Sequence, residues 1–260
     1  MIKFIWKLHI MITLYITGAG VSKQSGIPTF RGEDGFWTIG STNYTPQEMA
    51  TCQIYRSQPD EFLLWYYKRF VTYKDVSPNR AHQWLSDKRL ITQNIDGLDG
   101  KAGNKTYIPI HGRLDRVTVY SSQEQPQELL EAPWEDVEHL KIEAEDHIRL
   151  KYALLESFKI SLSTKKPEKG VSLKPFILLF DEYYTDLYRM TEAERWMQEA
   201  DKVVFIGTSF SVNITSIALG IALQNNADIE IVDPEPIDLG IPTITYHSFT
   251  AEDYISRLDG

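Results

Sequence analysis

The stretch from Thr17 to Arg31 reads Thr-Gly-Ala-Gly-Val-Ser-Lys-Gln-Ser-Gly-Ile-Pro-Thr-Phe-Arg, residue types that can hold an anion and cover a nucleotide. Gly18 and Gly20 remove the Cβ atoms that keep a diphosphate off a backbone, and a helix beginning just beyond them points free N–H groups at that anion. As a bare Gly-x-Gly-x-x-Gly the match is incomplete, because Lys23 stands where the third glycine would be. Further on, Ser25-Gly26-Ile27-Pro28 leads into Phe30 and Arg31, an aromatic and a guanidinium on a Gly/Pro-punctuated loop beside the cradle. Two more polar turns follow apolar runs: Thr92-Gln93-Asn94-Ile95-Asp96, and the small-residue turn Gly207-Thr208-Ser209, suited to phosphate or ribose contact. Polar side chains at the C-terminal end of a strand are where open parallel sheets place their ligands.

The elements that must position these turns alternate along the chain. Ile12–Ile16, Leu90–Thr92, Tyr107–Ile110, Pro175–Phe180, Lys202–Ile206 and Ile229–Val232 are short apolar runs that predict buried strands of one main sheet. Between them lie predicted helices: Pro59–Tyr73, apolar on most sides, Arg80–Lys88, one opening at a Thr191–Glu194 capping box, and one ending near Gln224. Strands alternating with helices predict an α/β fold, a Rossmann-like doubly wound parallel sheet over residues 11–112 and 175–260. Residues 113–174, with part of 32–75, differ in character and predict a smaller, mainly helical subdomain. There the apolar spacing from Gln127 to Phe158 reads as helix, and Ser161–Gly170 reads as a solvated Lys-rich loop.

With 260 residues, 42% of them apolar, the chain can bury a full core. A net charge of −9 speaks against a nucleic-acid partner held by bulk electrostatics. Cys52 is the single cysteine, which excludes an internal disulfide and a cysteine-based zinc site; its context reads as a small half-buried side chain. The apolar opening is interrupted by Lys3, Lys7 and His9, so it predicts neither a signal peptide nor a membrane span. Met11, immediately before the first strand, is the expected start of translation, with residues 1–10 an appendage. The expected compartment is the cytoplasm, with no membrane partner.

In order, Gly18-Ala19-Gly20-Val21-Ser22, Ser25 to Arg31, Thr92 to Asp96, His111-Gly112 and Gly207-Thr208-Ser209 resemble the motifs of the sirtuin family of NAD-dependent protein deacylases. The similarity spans residues 12–112 and 175–250. It implies that NAD, consumed as a co-substrate, lies at the C-terminal edge of the sheet. Gly18, Ala19, Gly20, Ser22, Gly207, Thr208 and Ser209 would hold its diphosphate and nearby ribose. Phe30 and Arg31 would sit on a cofactor loop, and Gln93, Asn94, Ile95 and Asp96 would line the nicotinamide end. Asn94 and Asp96 would act beside His111, the general base. Asp233 ends a strand where the family usually has Asn, and its carboxylate can accept ribose hydroxyls. In the family's mechanism an acyl-lysine oxygen attacks the ribose carbon as nicotinamide leaves, and a base then frees a ribose hydroxyl to attack the acyl carbon. An imidazole suits that step.

Three departures stand out. The four cysteines of the family's structural zinc are missing from residues 113–174, where His139 and His147 cannot by themselves close a tetrahedral site, so no zinc is expected. Asp99 stands where the family usually has histidine. Asp181 replaces the glycine of a Phe-Gly-Glu that pairs with the substrate backbone, which weakens the expectation of peptide clamping. On the predicted helix, Tyr66 and Arg69 share a face. They resemble the Tyr-x-x-Arg pair with which desuccinylating and demalonylating sirtuins bind an acidic acyl group; the bland alternative is an amphipathic helix with a snorkelling Arg69. The resemblance therefore implies an NAD-dependent lysine deacylase acting on an acyl-lysine protein or peptide and releasing nicotinamide and O-acyl-ADP-ribose. The rival is a sirtuin-like NAD hydrolase releasing ADP-ribose.

Overall fold

The computed structural model describes residues 11–29, 45–140 and 147–259. Its strands are β1 (Thr13–Thr17), β2 (Arg89–Thr92), β3 (Ile108–Pro109), β4 (Gly112–Val119), β5 (Leu130–Glu131), β6 (Leu173–Ile177), β7 (Lys202–Ile206), β8 (Asp228–Asp233) and β9 (Ile244–Ser248). The helices are α1 (Pro46–Met49), α2 (Cys52–Ser57), α3 (Pro59–Tyr73), α4 (Arg80–Trp84), α5 (Leu98–Lys101), α6 (His147–Ser157), α7 (Met190–Glu199), α8 (Asn213–Gln224) and α9 (Ala251–Leu258).

Leu14 and Ile16 are fully buried because β1 is an interior strand, covered on both faces and paired in parallel on both edges. The main sheet runs β3-β2-β1-β7-β8-β9, with parallel pairing throughout. From β1 the chain works outward to β2 and β3, then returns to β7 on the other side of β1 and works outward again. This reversal opens a crevice beyond the C-terminal ends of β1, β2 and β7, where a doubly wound sheet binds its ligand. β9 and α9, which complete the far edge, carry no apolar run long enough to announce them.

The second sheet is small and antiparallel, in the order β5-β4-β6. It corrects two expectations. Pro175–Phe180 does not resume the main sheet: β6 pairs with β4, Val117 opposite Pro175 and Val119 opposite Leu173. Gln127–Phe158 is not helical throughout. Leu130 joins β5, residues 135–137 make a single 3₁₀ turn, and among the described residues of this stretch the α-helix is α6. The apolar spacing misled because Leu129, Leu130 and Ile148 are exposed. Trp134 organises this part of the fold instead. It is wholly buried, donates its indole N–H to the Leu114 carbonyl at 2.7 Å, and packs on Tyr67, Phe70 and Phe158. The same apolar cluster takes in α2, α3, α6 and the small sheet, and two others cover the two faces of the main sheet.

The Thr191–Glu194 capping box also does not form. α7 begins after Arg189, whose φ of 59° reverses the chain. The Thr191 N–H donates to Asp186 Oδ1 at 3.0 Å, and Glu192 accepts from Arg189 Nε at 2.8 Å. Among the described residues no helix is long and apolar enough to cross a membrane.

Candidate active site

The two glycine turns meet each other before they meet any ligand. Gly20 N–H donates to the Gly207 carbonyl at 2.9 Å, and Gly18 N–H to the Ile206 carbonyl at 3.0 Å. A Cβ on Gly20 would lie 2.6 Å from Gly207 Cα, and one on Gly18 would lie 2.7 Å from the Gly207 oxygen. Close approach of the β1 and β7 turns therefore requires glycine at both positions, a demand that the sequence reading does not include. The cleft wall is formed instead by the residues between and after them, Ala19, Ser22, Ile27 and Pro28. Thr208 is buried and ties the turn to β2 through Gln93 Nε2, at 3.2 Å from its hydroxyl. Gly207, Thr208, Ser209 and Asp233 lie at the strand ends but outside the lining of the cleft.

Asn94 and Asp96 converge on Ser22. The Ser22 hydroxyl donates to Asp96 Oδ2 at 2.7 Å and accepts from Asn94 Nδ2 at 3.2 Å; the same amide nitrogen donates to the Gly18 carbonyl at 3.0 Å. His82 Nε2 lies 3.4 Å from the Ser22 oxygen. It is held there by α4, whose N-cap residue Asn79 accepts from the N–H groups of Ala81 and His82 and donates its own amide to the Val21 carbonyl at 2.8 Å. Burial pulls the His82 pKa down, against the opposing charges of Asp96 and Glu252. His82 is buried behind Ser22 and supports it from outside the cleft lining.

His111 ends the β3 run and stands on the cleft wall with Gln93, Asn94, Ile95 and Asp96. A carbonyl can only accept, so the 3.0 Å contact between Nδ1 and the Gln93 oxygen places the proton on Nδ1. The lone pair is then on Nε2, 3.0 Å from the Tyr184 hydroxyl, with the two rings 30° apart. Removal from water drives the His111 pKa down to about 4, only partly offset by the Gln93 carbonyl, so the imidazole is neutral near pH 7. Nothing in the Tyr183-Tyr184 dipeptide signalled this contact.

The cleft encloses about 840 Å³ and runs from His111 past Ile177 and Leu179 to Trp65, Tyr66 and Arg69 on α3. Its size is that of a site for a cofactor or small molecule. Arg69 is buried, with Nη1 donating to the Trp65 carbonyl at 2.8 Å and the guanidinium 3.2 Å from the centre of the Trp65 ring. Burial lowers its pKa to about 9, against the nearby Tyr66 and Tyr73 hydroxyls. Arg69 does not snorkel, since its charged end points inward, while Tyr66 is packed in the core against Phe62 and Trp65 as the amphipathic-helix alternative expects.

Residues 18–214 match the model of the Sir2 family. The chain belongs to that family. An NAD-dependent protein deacylase of Caldanaerobacter subterraneus subsp. tengcongensis is 29% identical over 259 residues, covering 95% of this chain and 93% of that protein. A second, from Archaeoglobus fulgidus, is 33% identical over 224 residues, covering 83% and 79%. Among solved structures, a Sir2 homologue in complex with NAD is 27% identical with a TM-score of 0.69, covering 95% of this chain and 87% of that one. A mutant Sir2 homologue in complex with ADP-ribose is 26% identical with a TM-score of 0.70, covering 95% and 90%.

The departures from the Sir2 pattern acquire physical roles. Asp181 accepts from the first two N–H groups of α2, Cys52 at 2.6 Å and Gln53 at 3.0 Å, and so caps that helix from across the cleft floor. The neighbouring Glu182 accepts from Lys174 Nζ at 3.0 Å and from the Leu179 N–H at 3.1 Å; the Lys174 side chain is fully buried. Asp99 lies under Asp96, and burial together with that like charge pushes its pKa up to about 7. Among the described residues no cluster of three or more His, Cys, Asp or Glu could hold a metal ion. Phe30 and Arg31, expected on the cofactor loop, and Met1–Ile10 lie outside the described residues.

Proposed function

We propose that this Sir2-family chain is an NAD-dependent protein lysine deacylase acting in the cytoplasm, with His111 as general base and with Ser22, Asn94 and Asp96 holding the ribose end of NAD. The observation that carries this reading is the convergence, in one cleft at the sheet's C-terminal edge, of a neutral imidazole with the Ser22–Asn94–Asp96 network. NAD supplies the electrophilic ribose carbon. The chain supplies the base and fixes its tautomer through Gln93, and Asp96 and Asn94 orient Ser22 toward the same space. The named deacylases among the relatives support the same activity.

The acyl end of the cleft adds a preference. Tyr66 and Arg69 line it, and a guanidinium already withdrawn from water and stacked on Trp65 favours a carboxylate-bearing acyl chain. A charge-assisted pair in such a place contributes about 1.5–3 kcal/mol, equivalent to roughly 10- to 150-fold. Arg69→Met is therefore expected to cut desuccinylation by that factor while sparing deacetylation; equal loss of both refutes the preference.

One observation favours hydrolysis of NAD as the second reading. The N–H groups of Leu178, Leu179 and Phe180 are all taken within the chain, by His111 O, Glu182 and Ala50 O, so a peptide backbone must find other partners. Mass spectrometry of the protein with NAD alone, with acetyl-lysine peptide and with succinyl-lysine peptide decides between them. Peptide-dependent nicotinamide release with O-acyl-ADP-ribose supports the deacylase. Equal release of free ADP-ribose without peptide refutes it.

A further inference from the structure

Nε2 of His111 is the one basic atom of that ring, and it faces Tyr184 rather than open cleft. With the proton of His111 on Nδ1, the 3.0 Å contact requires the phenol to donate its O–H to Nε2. A single imidazole lone pair cannot also accept a substrate hydroxyl. The first turn of α8 lies close by, and its Ile214 backbone N–H acts to lower the Tyr184 pKa against the larger rise from burial. Tyr184 also lines the cleft, beside Ser211, Val212 and Asn213. Moving the phenol aside would break its bond to Nε2, whereas a hydroxyl approaching from the cleft finds a remaining lone pair on the phenol oxygen.

From this we infer that Tyr184 is a second catalytic group of the cleft, a phenol that relays the proton of the ribose hydroxyl to His111. The inference rests on the deacylase reading, in which His111 is the base. In the step, the ribose O–H bond breaks and its proton passes to the Tyr184 oxygen while the proton of Tyr184 passes to His111 Nε2. The ribose oxygen's electron pair forms the new bond to the acyl carbon, and the carbon–nitrogen π pair left there by the first step moves onto the lysine nitrogen. The phenol is regenerated and the ring becomes an imidazolium, the same balance as direct deprotonation. Burial disfavours a free phenolate, so the two protons move together.

The test separates the two halves of the reaction. Labelled nicotinamide exchanges into NAD through the first step, which needs no base, whereas O-acyl-ADP-ribose requires the second. Wild type, Tyr184→Phe and His111→Ala are assayed for both with acetyl-lysine peptide. Tyr184→Phe is expected to keep exchange within about twofold, with unchanged KM values, and to lose about a hundredfold in product formation. Retained exchange also shows that the variant folds. Product formation at or above the wild-type rate would mean that Tyr184 only covers the base and steps aside, and would overturn the relay. Loss of exchange and product together would make Tyr184 structural and overturn it equally. Failure of wild type to form O-acyl-ADP-ribose would overturn the deacylase reading itself.

Discussion

Asp99 is charged at a cost. It is 2% exposed, Oδ1 has no hydrogen-bond partner, and Asp96 is a like charge beside it, which together hold its pKa at about 7. In the unfolded chain the same carboxyl titrates near ~3.9. Between these values the folded protein binds a proton that the unfolded chain has released, so stability falls as pH rises from about 4 to about 7, by at most about 1.4 kcal/mol per pH unit. Asp99→Asn is expected to melt above wild type at pH 8 and to match it near pH 4; a difference that stays constant with pH would refute this. His111 has the opposite sign. With its pKa lowered to about 4, stability is lost as pH falls from about 6.5, and the base stays deprotonated well below the usual histidine range. The acid limb of the deacylation rate should therefore lie below pH 5. A limb near 6.5 would show that the ring is solvated during turnover. At this scale the sequence disclosed Asn94, Asp96 and His111, because ordered motifs point at a strand edge. It hid Tyr184, whose partner lies 73 residues away and whose loop has no periodicity.

α2 shows how an element can be built by a residue far from it. Its six residues cannot sustain a helix alone, and its first N–H groups find Asp181 across the fold. Asp181→Ala is expected to cost about 0.5–2 kcal/mol in urea unfolding, and Asp181→Asn, which keeps one acceptor, less. No loss in either variant would mean that Thr51, which also accepts from the Ile54 N–H, suffices as the cap. The same element scale explains which parts of the fold the sequence shows. β1, β2, β7 and β8 are apolar runs with a turn at each C-terminal end, and α3 begins at Pro59 and ends at Tyr73 as the pattern predicts. β6 misleads because every residue from Leu173 to Ile177 is buried, and an all-buried strand looks alike in either sheet. β9 alternates weakly at a solvated edge and leaves no signal of its own.

The two halves of the molecule have separate cores, and the cleft between them depends on how the sheet holds its own turns together. Gly20 and Gly207 are the hinge pin of that arrangement: backbone touches backbone, so neither partner can yield by a rotamer change. Gly20→Ala puts a methyl 2.6 Å from Gly207 Cα and 3.0 Å from its oxygen, which forces the β1 and β7 turns apart. Overpacking of this kind costs about 1–3 kcal/mol. Ala19 and Ser22 hang from the displaced turn, so the loss should reach the site as well as the fold. Gly220, in α8, is the control: a Cβ there meets nothing within 4 Å, and Ala in a helix interior gains roughly 0.5–1 kcal/mol over Gly. Thermal melting with and without ADP-ribose measures both effects, since a ligand that binds only the folded state raises the melting temperature by an amount that grows with the logarithm of its affinity. Gly220→Ala is expected to melt higher with an undiminished ADP-ribose shift, and Gly20→Ala to melt lower with most of that shift gone. If Gly20→Ala lowers stability but keeps the full shift, the turns can separate without disturbing Ser22, and the coupling of sheet to cleft proposed for this contact is wrong.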